Sequence, residues 1–144
     1  MNQIITPQSK QIEQKLFSCR QVTVATWFLG TLTGFALIAI NYKRQGFEQK
    51  YYKSLMIGAI SIVGLAVINI FLPAIPTTIY PFTWAILLRK WYKKEQHSLF
   101  KAHIRNGGEI EDNGLIFVIG LLAVFLSVAI WFVSAVVLYS LAGY

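Results

Sequence analysis

Leu115–Tyr144 reads LIFVIGLLAVFLSVAIWFVSAVVLYSLAGY, thirty residues without one charged side chain. As an α-helix, even Leu115–Ala142 would extend about 42 Å, against a bilayer hydrocarbon core of about 30 Å. A soluble core has no use for an apolar helix of that length. A membrane span with room to tilt is expected, over 115–141. The rest of the chain has to be compatible with a bilayer, and its composition is: 56% of residues are hydrophobic and 13% charged, where soluble domains carry roughly a quarter charged.

Three further stretches follow from the same logic. Val22–Tyr42 is charge-free over 21 residues, the length of one crossing. Gly30 and Gly34 form a GxxxG within it, a spacing that lets a second helix approach closely, from the same chain or from a partner. Ser54–Leu88 is 35 residues without a charge, too long for one crossing, and Pro73, Pro76 and Pro81 interrupt it. Proline ends a helix cheaply and continues one expensively. A span over 54–72, a tight FLPAIP turn and a shorter apolar helix over 77–92 are therefore expected. Thr77 or Thr78 would cap that helix, Pro81 would be tolerated near its first turn, and Trp91 and Tyr92 would sit at headgroup level. Residues 93–106, KKEQHSLFKAHIRN, place Leu99, Phe100, His103 and Ile104 on one helical side and Lys94, Lys101 and Arg105 on another, an interfacial amphipathic helix stopped by Gly107–Gly108. Residues 1–21 are polar, lack the apolar core of a signal peptide, and are expected as a tail or short surface helix.

The expected fold is thus an all-α integral membrane protein: a tail over 1–21 and one transmembrane helical domain over 22–144. Four transmembrane helices with a cytoplasmic amphipathic helix put ten Lys and Arg inside and three outside. The alternative, three helices with the proline-rich segment re-entrant or interfacial, gives nine and four. The positive-inside rule barely separates the two. Both leave 89–114 cytoplasmic and the C-terminus periplasmic or extracellular.

The net charge of +7 comes from short basic clusters between apolar runs, a pattern of topology signals and headgroup contacts rather than of nucleic-acid binding. Arg89, Lys90, Lys93, Lys94, Lys101 and Arg105 are the candidate anionic-lipid contacts, with simple positive-inside anchoring as their plainer role. Every Asp and Glu lies outside the expected spans, and no Lys, Arg or His is expected at bilayer depth, since Arg89 and Lys90 near the end of the 77–92 helix would snorkel to the surface; this argues against a proton-coupled or ion-coupled transporter. Asn69, the deepest polar side chain, and Ser127 and Ser134, seven apart on the last span, read as helix-packing groups beside Gly30 and Gly34. Asn41 stands at a span end and needs no special role. A serine nucleophile would lack a nearby base. His97 and His103 are six apart and do not converge on a metal as an i, i+4 pair does, and Cys19 stands alone. No catalytic residue, cofactor or metal is implied.

Several of these features together resemble a group of uncharacterised small multi-pass bacterial inner-membrane proteins. The likeness covers Trp27 to about Ala123. It rests on the spaced glycines of the first span, Asn41 to Gly46, the Pro73 and Pro76 turn, and His103 to Gly108. It implies a fold and no chemistry. The expected role is therefore non-enzymatic: a multi-pass protein of the bacterial inner membrane, surrounded by lipid, that packs against a membrane-protein partner as accessory subunit, regulator or toxin-immunity protein. A self-associated pore, or a transport or lipid-handling component, is the alternative.

Overall fold

A computed structural model describes residues 14–71 and 79–141, and the side chains of all of these except 69–71, 138, 139 and 141. The turn expected at Pro73 and Pro76, the caps expected at Thr77 or Thr78 and the side chain of Asn69 lie outside the described residues. The described residues form six helices: α1 (Cys19–Leu29), α2 (Thr31–Arg44), α3 (Glu48–Phe71), α4 (Ile79–Glu95), α5 (His97–Arg105) and α6 (Asn113–Leu141).

The stretch expected as a first crossing, 22–42, is two helices and not one. They meet at Gly30, whose φ of 91° and ψ of 169° lie in a region open essentially to glycine alone. The chain reverses there. Phe17 and Asn41 are hydrogen-bonded across 24 residues of sequence, a separation that one continuous helix would stretch to about 36 Å. α1 and α2, at 11 and 14 residues, extend about 16 and 21 Å, and each falls short of a bilayer core. They form a helical hairpin with its tip at Gly30 and both feet at one end of the bundle.

Local sequence explains how the hairpin begins and ends. Ser18 and Gln21 make a reciprocal capping box at the start of α1. α2 ends with Lys43 and Arg44 in its last turn, where cations suit the helix dipole. Phe47 N–H then bonds Tyr42 C=O at 2.8 Å and Gly46 N–H bonds Lys43 C=O at 3.1 Å, a Schellman closure with the Phe47 ring against Tyr42.

α3 leaves this end beside α2, α4 returns beside α1, and α6 leaves again against α2 and α3. Among the described residues α4 runs over Ile79–Glu95, with Pro81 near the N-terminal side of that range. α5 is capped by Gly107 and Gly108 in the same Schellman pattern, with Gly108 N–H on His103 C=O at 2.9 Å. Asp112 accepts the Gly114 N–H at 2.9 Å where α6 starts.

Among the described residues, two helices are long and apolar enough to cross a membrane, over Glu48–Ile68 and Asn113–Val137. Only 22% and 17% of their apolar windows are buried inside the bundle, which is the reverse of a soluble core helix. Exposed apolar faces of this extent support association with a membrane. The hairpin, by contrast, is the buried centre. Phe35, Leu37, Ile38 and Tyr42 of α2 pack with Val22 and Ala25 of α1, Leu88 and Tyr92 of α4 and Ile116 of α6. Trp84 and Trp91 stand edge-on to Phe35 at 5.5 and 5.6 Å. Tyr92, expected in the headgroup layer, is fully buried instead.

Close glycine contacts seat the hairpin. A Cβ at Gly34 would meet Thr26 Oγ1 at 2.0 Å and Leu88 Cδ1 at 2.6 Å, and one at Gly58 of α3 would meet Phe35 Cβ at 2.9 Å. Gly34 thus packs within the chain, while nothing lies within 4 Å of a Cβ at Gly30. Gly30→Ala is therefore expected to cost about 1–3 kcal/mol through backbone strain alone. Gly64→Ala, which also meets nothing within 4 Å and sits in regular helix, should be neutral or stabilising. Thermal unfolding of the two variants in detergent checks the contrast, and equal stabilities would remove the reversal at Gly30.

Candidate functional site

The polar groups gather at the feet of the hairpin. Just before α1, Leu16 and Phe17 are buried, and Leu16 is paired with Ile110 in an isolated parallel bridge, through Leu16 N–H to Glu109 C=O at 3.1 Å and Glu111 N–H to Leu16 C=O at 3.0 Å. The supposed tail over 1–21 thus contributes Leu16 and Phe17 to the core. Asn41 holds Phe17 from α2. Its Oδ1 accepts the Phe17 N–H and its Nδ2 donates to the Phe17 C=O, both at 2.8 Å. The same Nδ2 reaches Gln96 Oε1 at 3.2 Å, Gln96 Nε2 donates to Ile38 C=O at 2.9 Å, and the Tyr92 hydroxyl donates to Phe17 C=O at 2.7 Å. Asn41, Tyr92 and Gln96 are all fully buried. This network joins three segments, the residues before α1, α2 and the end of α4, and Asn41, given no role above, is its centre.

Ion pairs tie the outer layer of the same end. Arg44 bonds Glu111 at 2.6 Å, also donates to the Lys15 C=O, and lies over the Phe17 ring. Lys50 pairs with Glu95 at 3.2 Å and Lys15 with Glu109 at 2.8 Å. In the exposed last pair, hydrogen bonding and charge from Lys15 hold the Glu109 carboxyl below its usual range and raise Lys15 in return. The contribution of that pair is present at neutral pH and is lost as pH falls through the lowered Glu109 value.

The six candidate lipid contacts, Arg89, Lys90, Lys93, Lys94, Lys101 and Arg105, are all exposed at this end. Two of them converge with a residue that the sequence did not single out. Arg20 of α1 lines a cleft of about 410 Å³ with Arg89 and Lys93 of α4, beside Cys19, Thr23 and Val24. Spacing alone does not reveal that convergence, because it depends on α1 folding back along α4.

At the other end of the hairpin, the tip closes one side of an apolar cavity of about 480 Å³ between α3, α4 and α6. Gly30, Thr31, Ile62, Tyr80, Ser127 and Trp131 are among its lining residues. Ser127 satisfies its hydroxyl on Ala123 C=O at 2.7 Å, so it packs within its own helix. Ser134, one level further along α6, is half-buried.

The groups at the hairpin feet are hydrogen-bonded amides, buried aromatics and exposed cations. Asn41→Ala is expected to lower stability by about 2–4 kcal/mol, since it strands the buried Phe17 N–H and a Gln96 acceptor, whereas Tyr92→Phe should cost only about 1 kcal/mol because Asn41 still serves the Phe17 C=O. Melting curves in detergent read both, and an Asn41→Ala loss no larger than that of Tyr92→Phe would contradict the network's hierarchy. Compared with known proteins, the chain matches no family model, no curated protein and no solved structure.

Proposed function

We propose that the chain is a non-enzymatic, multi-pass protein of the bacterial inner membrane that acts by packing against a membrane-protein partner. Its crossings are α3, α4 and α6, and α1–α2 is a re-entrant hairpin that enters and leaves by the cytoplasmic face. This reading keeps three crossings but moves the re-entrant element from the proline-rich segment to the first apolar stretch. It leaves the C-terminus on the periplasmic or extracellular side.

The observation that carries it is the placement of charge. Every described Lys and Arg lies towards the end that holds the hairpin feet, the loop after α2, α5 and the start of α6. With one re-entrant hairpin the positive-inside rule, nearly indifferent between the topologies read from sequence, becomes one-sided. α4, with 17 residues, reaches about 25 Å, and its terminal cations can extend to the headgroups. The packing role draws support from α6. One side of it, with Ile116, Gly120 and Ala123, is buried in the bundle, while Phe117, Leu122, Phe125 and Phe132 are each more than 60% exposed.

Cysteines placed in a Cys19→Ala background test the topology. Gln14→Cys and Asn106→Cys should react with a membrane-impermeant maleimide only from the cytoplasmic face, and Ser140→Cys only from the opposite one. Labelling of Gln14→Cys from the face opposite Asn106→Cys would restore a crossing over 22–42. Purification from native membranes in mild detergent tests the role: a stoichiometric membrane protein should co-elute. A homo-oligomer running alone would favour the pore or lipid-handling alternative.

A further inference from the structure

Arg20 stands second in α1, and Arg89 and Lys93 stand one turn apart near the end of α4. The packing of α1 along α4 brings the three into one cleft, and no acidic residue lines it. The ion pairs among the described residues use Lys15, Arg44 and Lys50, so the cleft's own cations are left uncompensated. Three like charges held around one hollow repel one another, and an anion between them reverses the sign of the interaction.

The cleft does not end in polar surface. Arg20, Val24 and Phe28 follow at i, i+4 and i+8 on one stripe of α1. Val24 and Phe28 are 45% and 73% exposed. On its other flank this stripe borders a furrow of about 720 Å³ shared with α6, lined by Ile116 and Phe117. From Arg20 to Phe28 the helix rises about 12 Å, which fits within one leaflet's hydrocarbon depth of about 15 Å. Cations at the hairpin foot and bare apolar side chains running towards its tip match an anionic headgroup with attached chains.

We propose that the α1–α4 cleft is a binding site for an anionic diacyl phospholipid, with its phosphate held by Arg20, Arg89 and Lys93 and its acyl chains lying on Val24, Phe28 and Phe117. The lipid belongs to the leaflet at the hairpin feet, and in this the inference rests on the topology proposed above. Lys90, Lys94, Lys101 and Arg105 serve as general attraction to the same surface, outside the cleft.

Native mass spectrometry of the full chain in detergent, titrated with phosphatidylglycerol, phosphatidylcholine of the same chains and inorganic phosphate, tests it. One phosphatidylglycerol per protomer is expected to bind roughly tenfold more tightly than phosphatidylcholine. Arg20→Gln and Arg89→Gln should each weaken it roughly fivefold, as expected for one cation facing an anionic headgroup. Arg20→Lys should stay within about twofold, and Lys101→Gln should leave binding unchanged. Phe28→Ala should weaken both lipids, whose chains are the same, and leave the binding of inorganic phosphate unchanged. Equal losses for Arg20→Gln and Lys101→Gln would reduce the site to diffuse charge attraction. Displacement of the lipid by equimolar inorganic phosphate would make it a site for a soluble anion. Arg89→Gln and Arg20→Lys carry the test should Arg20→Gln fail to fold. The titration reads affinity whichever way the cleft faces, so its failure leaves the topology standing, while maleimide labelling from the wrong face leaves the affinity untouched.

Discussion

An asparagine side chain gripping a backbone amide 24 residues earlier is the contact on which the architecture depends. Asn41 gives Phe17 what a neighbouring strand would give: an acceptor for its N–H and a donor for its C=O. A buried peptide group without such partners costs about 1–3 kcal/mol for each group left unmade. Once that pairing exists, the chain between Phe17 and Asn41 must reverse, and Gly30 is where it can. Everything else is arranged around the resulting hairpin. Gln96 and Tyr92 complete the network from the end of α4, and Glu109 and Glu111 hold the same segment from its other edge.

The hairpin also divides labour among the glycines. Gly30 supplies a backbone conformation and touches nothing, whereas Gly34 and Gly58 supply closeness and adopt ordinary helical geometry. The two residues of one GxxxG therefore do different jobs, and both are used up inside the chain. The large exposed surfaces of α3 and α6 are left for whatever surrounds the bundle.

Much of the helical content was legible in the sequence. The apolar run after Leu115, the place of Pro81 near the N-terminal side of α4 and the stop at Gly107–Gly108 all act locally, over one or two turns, and local patterns report them. The first apolar stretch was misread for a physical reason. Twenty-one uncharged residues satisfy the length of a crossing whether or not they reverse midway, and hydropathy carries no information about φ at Gly30. The Ser18–Gln21 capping box was available as a sign that α1 starts at Cys19, ahead of the apolar run. Asn41 and Gln96 looked unremarkable because their partners, Phe17 and Ile38, are backbone groups that any residue offers. The cleft of Arg20, Arg89 and Lys93 was hidden for a related reason: α1 and α4 are neighbours only in the fold.

The feet-together geometry of α1 and α2 has a consequence for how such a chain can reach a bilayer. A helix that crosses must drag its flanking residues to the far side, and each Lys, Arg or Asp brought to mid-membrane costs several kcal/mol. In the topology proposed above, a hairpin that reverses at Gly30 drags nothing: Lys15 and Arg20 before it, and Lys43 and Arg44 after it, would stay on the side from which they came. Glu48, Glu95, Glu109, Glu111 and Asp112 lie at that same end. Among the described residues the bundle can therefore be threaded into a membrane from one face without a single charge making the passage.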